Sequence, residues 1–323
     1  MKFHRDVLAL DCRAEAERIS SFVQRQMELL KREGAVVGLS GGMDSALAVS
    51  LCLKALGPEK VLGLVLPERE SNPLSREYAL KEAQRIGIKV EVIDITPVLE
   101  AFRTYQKRDE AIREIFPGYG PGCRSKIVLP ADLLARDAFN FFSLKIVDGK
   151  GKGYSFRLKK DILLKIIAAT DTKLRTRMMH LYYYAERMNY FVCGTTNRTE
   201  TVQGYFVKYG DGGVDLEPIA HLYKTQIFQM AGYAGVIEEI RRRVPSPDTF
   251  SLEVSDEEFY FRIPYEALDL LLYAWENEVS AEEAGGVLGL SRDQAQRAFR
   301  DFAAKYKATQ HLRILAPSLL NLK

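Results

Sequence analysis

The residues best suited to chemistry lie together in Ser40-Gly41-Gly42-Met43-Asp44-Ser45. The apolar run Val36-Val37-Gly38-Leu39 leads into them, and Ala46, Leu47, Val49, Leu51 and Leu53 follow at helical spacing. A strand that empties through glycines into a helix offers unbonded main-chain N–H groups to an anion. Glycines let the backbone approach that anion closely, and the Ser40 and Ser45 hydroxyls add donors. A carboxylate here would repel a phosphate unless it held a cation, so Asp44 points to Mg²⁺. The segment is not a Walker loop, which needs Gly-Lys-Ser/Thr after a longer glycine stretch.

Periodicity outlines the elements that hold this loop. Helical spacing over 11–33 precedes a strand at 35–39 and a helix at 43–56. A second strand at 61–66 stops at Pro67; a helix over 74–86, a strand at 88–93 and a helix over about 96–115 follow. Strands apolar on both faces, alternating with helices, predict a parallel sheet covered on both sides. Ligands of such sheets bind beyond the carboxyl ends of the strands, where Ser40–Ser45 lies. Residues 117–165 break the pattern with Gly/Pro turns and a basic second half that includes Lys145, Lys150, Lys152, Arg157, Lys159 and Lys160. A solvated insertion with one or two helices is expected; the sharper reading is a flap that brings positive charge to a phosphorylated substrate. Order returns with a helix at 173–188, a strand at 191–193, a turn at Gly194–Glu200 and a tight loop at Tyr209–Asp215. Helices are expected at 222–242, 264–276, 280–289 and 291–308.

Composition narrows the function classes. A chain of 323 residues holds one large or two modest domains. Charged residues are 28% and the formal net charge is +3, too small by itself to imply nucleic-acid binding. No apolar run reaches membrane-spanning length, and Met1–Asp11 is not a signal peptide. Cys12, Cys52, Cys123 and Cys193 lack paired metal-ligand spacing, which fits a reducing cytoplasm. With only four histidines, His-based catalysis has little material. Asp44 and Glu200 each follow a strand, so the sheet could bring two carboxylates to one Mg²⁺ with phosphate oxygens. Lys208 and Lys224 offer point charges, and Ser246 a donor from a proline-fixed loop.

Ser-Gly-Gly-x-Asp-Ser resembles the pyrophosphate loop of the N-type ATP pyrophosphatases. Taken with Lys173–Met178, Val192–Glu200, Gly204–Asp215, Leu222–Gln226, Pro245-Ser246 and the tail at His311, the chain resembles the ammonia-dependent NAD synthetases. The resemblance implies an adenine-nucleotide α-hydrolase-like (Rossmann-like) α/β fold: a parallel sheet of about five strands, helices on both faces and a C-terminal helical segment. Residues 1–250 would form the catalytic domain, and 251–323 helices and a tail packed on it. It implies that ATP, as co-substrate, adenylates the nicotinate carboxylate of deamido-NAD with release of pyrophosphate, and that ammonia then displaces AMP. ATP would be held by Gly38, Leu39, Ser40, Gly41, Gly42, Met43, Asp44, Ser45, Thr195, Lys224 and Ser246, with Mg²⁺ on Asp44 and Glu200. Arg175, Tyr182, Tyr205, Lys208, Asp215 and His311 would meet the dinucleotide, Tyr182 and Tyr205 near the nicotinate or the adenine. Asp211 matches a residue that handles ammonia; the bland alternative is a turn residue capping its own loop. The family further implies a homodimer, free ammonia or a separate glutaminase, and neither nucleic acid nor membrane as partner.

Three departures stand out. Gln310-His311-Leu312-Arg313 replaces a His-Lys-Arg tail, Leu252–Phe261 replaces a polar Gly-Gln-x-Asp-Glu run, and the insertion is extra. They leave open an adenylating amide ligase for a different carboxylate. Ser280–Ser291 followed by Arg292–Arg300 also reads like a helix-turn-helix DNA reader, although packing on the catalytic domain is the stronger expectation.

Overall fold

Residues 3–130, 132–135 and 141–319 are described by a computed structural model. Helix α1 (Cys12–Leu29) is capped by Asp11, whose carboxylate accepts from the N–H groups of Arg13 and Ala14. The β-branched run that follows forms β1 (Ala35–Gly38), and α2 (Met43–Leu56) starts after four intervening residues. Then come β2 (Val61–Val65), α3 (Pro73–Ile86) and β3 (Lys89–Val92). The helix expected over 96–115 is two helices, α4 (Thr96–Ala101) and α5 (Thr104–Arg113), parted where Arg103 adopts a left-handed φ of 61°.

Among the described residues of the insertion, three strands precede the helix that begins at Lys160. Strands β4 (Arg124–Val128), β5 (Ser143–Val147) and β6 (Gly153–Arg157) form an antiparallel sheet in the order β4-β5-β6. Alternate residues of β5 are buried, as expected for a sheet with one covered face. Helix α6 (Lys160–Met188) then runs 29 residues, well beyond the expected 173–188.

The main sheet is completed by β7 (Phe191–Cys193), in the order β3-β2-β1-β7 with all neighbours parallel. It has four strands, not five: Leu216 meets Cys193 through a single parallel bridge. Pro218, two residues on, has no N–H to extend the pairing.

Next come α7 (Arg198–Gln203), α8 (Lys224–Tyr233) and α9 (Glu238–Arg242). Gly235, at a φ of 67°, divides what the sequence presents as one helix over 222–242. Helices α10 (Tyr265–Glu276), α11 (Ala281–Leu288) and α12 (Arg292–Ala308) fall within a residue of expectation, and α13 (Gln310–Arg313) closes the series. Ala295, Ala298, Phe299 and Phe302 of α12 are buried in a core shared with α10, so the would-be DNA-reading helix spends one face on packing. No helix of the described residues is long and apolar enough to cross a membrane.

Candidate active site

The turn after β1 is built by its own hydroxyls. Ser45 Oγ donates to the Gly42 carbonyl (3.0 Å) and accepts from the Ser40 N–H (3.2 Å), while the Gly42 N–H donates to Ser40 Oγ (3.2 Å). Gly42 is the N-cap of α2 and provides no side-chain cap, so the helix start is open to an anion. Gly41 has a φ of 73°, and a Cβ there would lie 2.1 Å from the Ser75 carbonyl oxygen. Only glycine lets the loop pass this close to α3.

The turn after β7 meets it. Asn197 accepts from the Glu200 N–H at 3.0 Å while Glu200 Oε2 accepts from the Asn197 N–H at 3.1 Å, a reciprocal cap at the start of α7. The free amide N–H of Asn197 donates to Asp44 Oδ1 at 2.9 Å. The second oxygen of Asp44 takes the ammonium of Lys224, the first residue of α8. Burial disfavours the Lys224 charge, but the carboxylates of Asp44, Glu200 and Asp256 outweigh it and hold the group above its ordinary value. Burial first, then the Asp44 charge, pushes the Glu200 carboxyl well above the glutamate range against the pull of Lys224. Thus Asp44, Glu200 and Lys224, expected together, do come together.

Asp256 is a member of this cluster that the sequence did not reveal. It is 4% exposed and accepts from the hydroxyls of Tyr205 and Tyr265, both at 2.9 Å. Tyr205, expected near the nicotinate or the adenine, stacks on Tyr260 at 5.0 Å between ring centroids and turns its hydroxyl to Asp256. Arg243 was also missed. It donates to Ser75 Oγ (2.9 Å) and to the Gly41 carbonyl (3.5 Å), so it puts a cation beside the glycine loop.

The other residues expected at the dinucleotide fall into two sets of contacts, Tyr182 with Asp215 and Arg175 with Lys208 and the tail. Tyr182 donates to Asp215 Oδ1 at 3.0 Å, and Asp215 Oδ2 accepts from the Val192 N–H at 2.8 Å. Lys208 donates to the carbonyls of His311 (2.8 Å) and Ile314 (3.0 Å), so the tail holds this lysine. Arg175 donates to the Lys208 carbonyl at 3.3 Å, while the His311 side chain is exposed. Asp211 is exposed as a residue, yet its loop folds over the carboxyl: the Val207 N–H donates to Oδ1 at 2.7 Å, and the desolvation pushes the group up to about 6. Thr195 is half-buried just past β7. Ser246 is exposed, and its hydroxyl accepts from the Asp248 N–H at 3.2 Å. Asp248 in turn accepts from Ser75 Oγ at 2.7 Å, which ties that loop to α3.

Residues 15–117 and 147–316 match the NAD synthase family. This chain belongs to that family. The family match omits 118–146, a narrower gap than the 117–165 read as extra. The "NH(3)-dependent NAD(+) synthetase" of Rhizobium meliloti (strain 1021) is 46% identical over 318 residues, 98% of this chain and 95% of the relative. That of Thermotoga maritima is 37% identical over 83% of this chain and 89% of its own length. Among solved structures, an NMN synthetase from Francisella tularensis superposes with a TM-score of 0.65 at 22% identity, covering 96% of this chain and 98% of that one. An NH3-dependent NAD synthetase from Campylobacter jejuni gives 0.63 at 21%, covering 96% and 100%. These two likenesses carry the NAD synthase fold alone.

Proposed function

We propose that this chain is an ATP-dependent ligase that amidates deamido-NAD to NAD with ammonia. The observation that carries the reading is the meeting of Asp44, Asn197, Glu200 and Lys224 at the carboxyl ends of β1 and β7, beside an open helix start. In this reading the nicotinate carboxylate attacks the α-phosphorus of ATP, and the bond to the β-phosphate oxygen breaks with loss of pyrophosphate. Ammonia then attacks the acyl carbon, AMP leaves, and the nitrogen gives up a proton.

The main-chain N–H groups in the first turn of α2 (Met43–Ser45) cradle the phosphates, and Lys224 offsets charge growing on the departing pyrophosphate. Thr195 and Ser246 line the ATP side; Arg175, Tyr182, Lys208, Asp215 and His311 line the dinucleotide side. Tyr205 acts from behind, through Asp256. Asp211, with its carboxyl pushed up to about 6 by desolvation, suits a group that binds ammonium and takes up its proton.

Two adjoining carboxylates are a hard-oxygen donor set of the kind Mg²⁺ uses when it keeps waters and phosphate oxygens as its other ligands. Asp44 and Glu200 would hold the ion, which supplies Lewis-acid neutralisation of phosphate charge. We further infer a cytoplasmic location and a homodimer; for the dimer, support comes from the exposed Met179 and Tyr183, which line one apolar hollow with Val98 and Tyr184. Ammonia would arrive free or from a separate glutaminase.

The test is product analysis with ATP, Mg²⁺, ammonium and a panel of carboxylates. AMP and pyrophosphate in equal amounts with NAD are expected from deamido-NAD. Turnover confined to another carboxylate on the panel would replace the substrate, and ADP with orthophosphate would overturn the chemistry.

A further inference from the structure

The antiparallel sheet is joined to the segment that carries Asp256. The Ser125 N–H donates to Ser251 Oγ at 2.9 Å, the Leu252 N–H to the Ser125 carbonyl at 3.2 Å, and the Leu129 N–H to the Glu258 carbonyl at 3.1 Å. Strand β4 and Leu129, the residue that follows it, thus bond to two points of the chain, before and after Asp256. Lys126 adds a charged fastening, with its ammonium 2.6 Å from Glu258 Oε2 and 2.9 Å from the Glu253 carbonyl. This pair is mostly withdrawn from water, Lys126 being 14% and Glu258 31% exposed at the side chain, so the bond is less screened than a surface pair. Phe259 packs between the sheet and the site, 6.1 Å from Phe142 on one side and 5.9 Å from Tyr205 on the other.

The fastened backbone is itself unusual. Glu257–Phe261 is a π-helical turn that starts directly after Asp256. Such turns hold one residue more than an α-turn and need outside support. Here the support comes from β4, which lies in the stretch outside the family match. On the inner side Asp256 holds two phenols and contributes to the field on Lys224.

We propose that Lys126 and Glu258 are positioning residues of the ligase reaction: strand β4, through this pair, holds the π-turn so that Asp256 stays set against Tyr205, Tyr265 and Lys224. The inference rests on the adenylating reading of the site. It gives the insertion a structural task, in which Lys126 and Lys145 both meet Glu258.

The test uses the full chain and its Lys126→Met, Glu258→Gln, double and Lys126→Arg variants, with Asp256→Asn as reference. Each single loss lowers kcat for AMP release about tenfold and leaves KM for ATP within about twofold, the pattern of a misplaced group in a site that still binds its substrate. The double variant is no slower than either single one, and Lys126→Arg recovers most of the rate. Amide exchange over 252–262 speeds up in Lys126→Met, while exchange in β1 and β2 does not change, which reports the positioning without any substrate. Parent-like kcat and exchange in Lys126→Met, or a double variant whose loss is the product of the two single losses, overturns the inference. Failure of the underlying reading shows separately, as a parent chain that forms no AMP from deamido-NAD; the exchange pattern alone then decides.

Discussion

Asn197 joins the two turns that make the site: one amide caps α7 through its oxygen and reaches Asp44 through its nitrogen, at 2.9 Å. The two roles separate by substitution. Asn197→Ser keeps a capping oxygen but is too short for Asp44, so folding stability falls by about 1 kcal/mol or less while kcat drops about tenfold. Urea titration beside steady-state AMP release checks this; a kcat equal to the parent's would detach Asn197 from the chemistry.

Lys224 faces three carboxylates and is 2% exposed. Lys224→Met leaves them without their shared cation. A loss of about 3–5 kcal/mol of stability at neutral pH is expected, with a fall in kcat on the order of 10²–10³. Chemical denaturation and single-turnover pyrophosphate release measure the two effects separately. A loss below tenfold in rate would remove this lysine from pyrophosphate departure.

Gly41→Ala tests the loop's close approach to α3. The new methyl would meet the Ser75 oxygen at 2.1 Å on a backbone held at a φ of 73°. Left-handed geometry alone costs about 1–2 kcal/mol, and the clash forces the loop away from Arg243 and Ser75. Calorimetric ATP binding weakens by at least about tenfold, with a lowered melting midpoint; unchanged binding would mean that the loop does not hold the triphosphate.

Glu217 governs a pH dependence. Its Oε2 is buried with no hydrogen-bond partner, and its carboxyl crowds Gly194, where a Cβ would lie 2.4 Å from Glu217 Cδ. Burial pushes this carboxyl up to about 8, against hydrogen bonds from Thr196. The folded chain therefore holds this proton more tightly than the unfolded chain does. That contribution is full below the ordinary glutamate pKa and is lost as pH rises through about 8, with a slope of at most about 1.4 kcal/mol per pH unit. Glu217→Gln should flatten the decline between about pH 5 and about pH 8 in urea midpoints; an unchanged slope would assign the decline to other groups.

Much of the site was readable because its signals are local. Gly38–Ser45 carries strand, turn and helix start in one short stretch, and Asn197 with Glu200 three residues on is a capping pattern visible in sequence. Asp256 was not readable: it sits in the acidic run Ser255-Asp256-Glu257-Glu258, where only tertiary packing selects the inward carboxylate. Nothing near Tyr205 in sequence announces Tyr260 as its stacking partner. The antiparallel sheet was hidden by its turns, although Ser143–Val147 alternates in polarity as a half-buried strand does.

The contacts that make the site join stretches far apart along the chain: Asp44 to Lys224 across 180 positions, Asn197 to Asp44 across 153, Lys126 to Glu258 across 132. Closing such long loops is slow compared with forming helices. On dilution from denaturant the helical signal therefore recovers first, and turnover is the last property to come back.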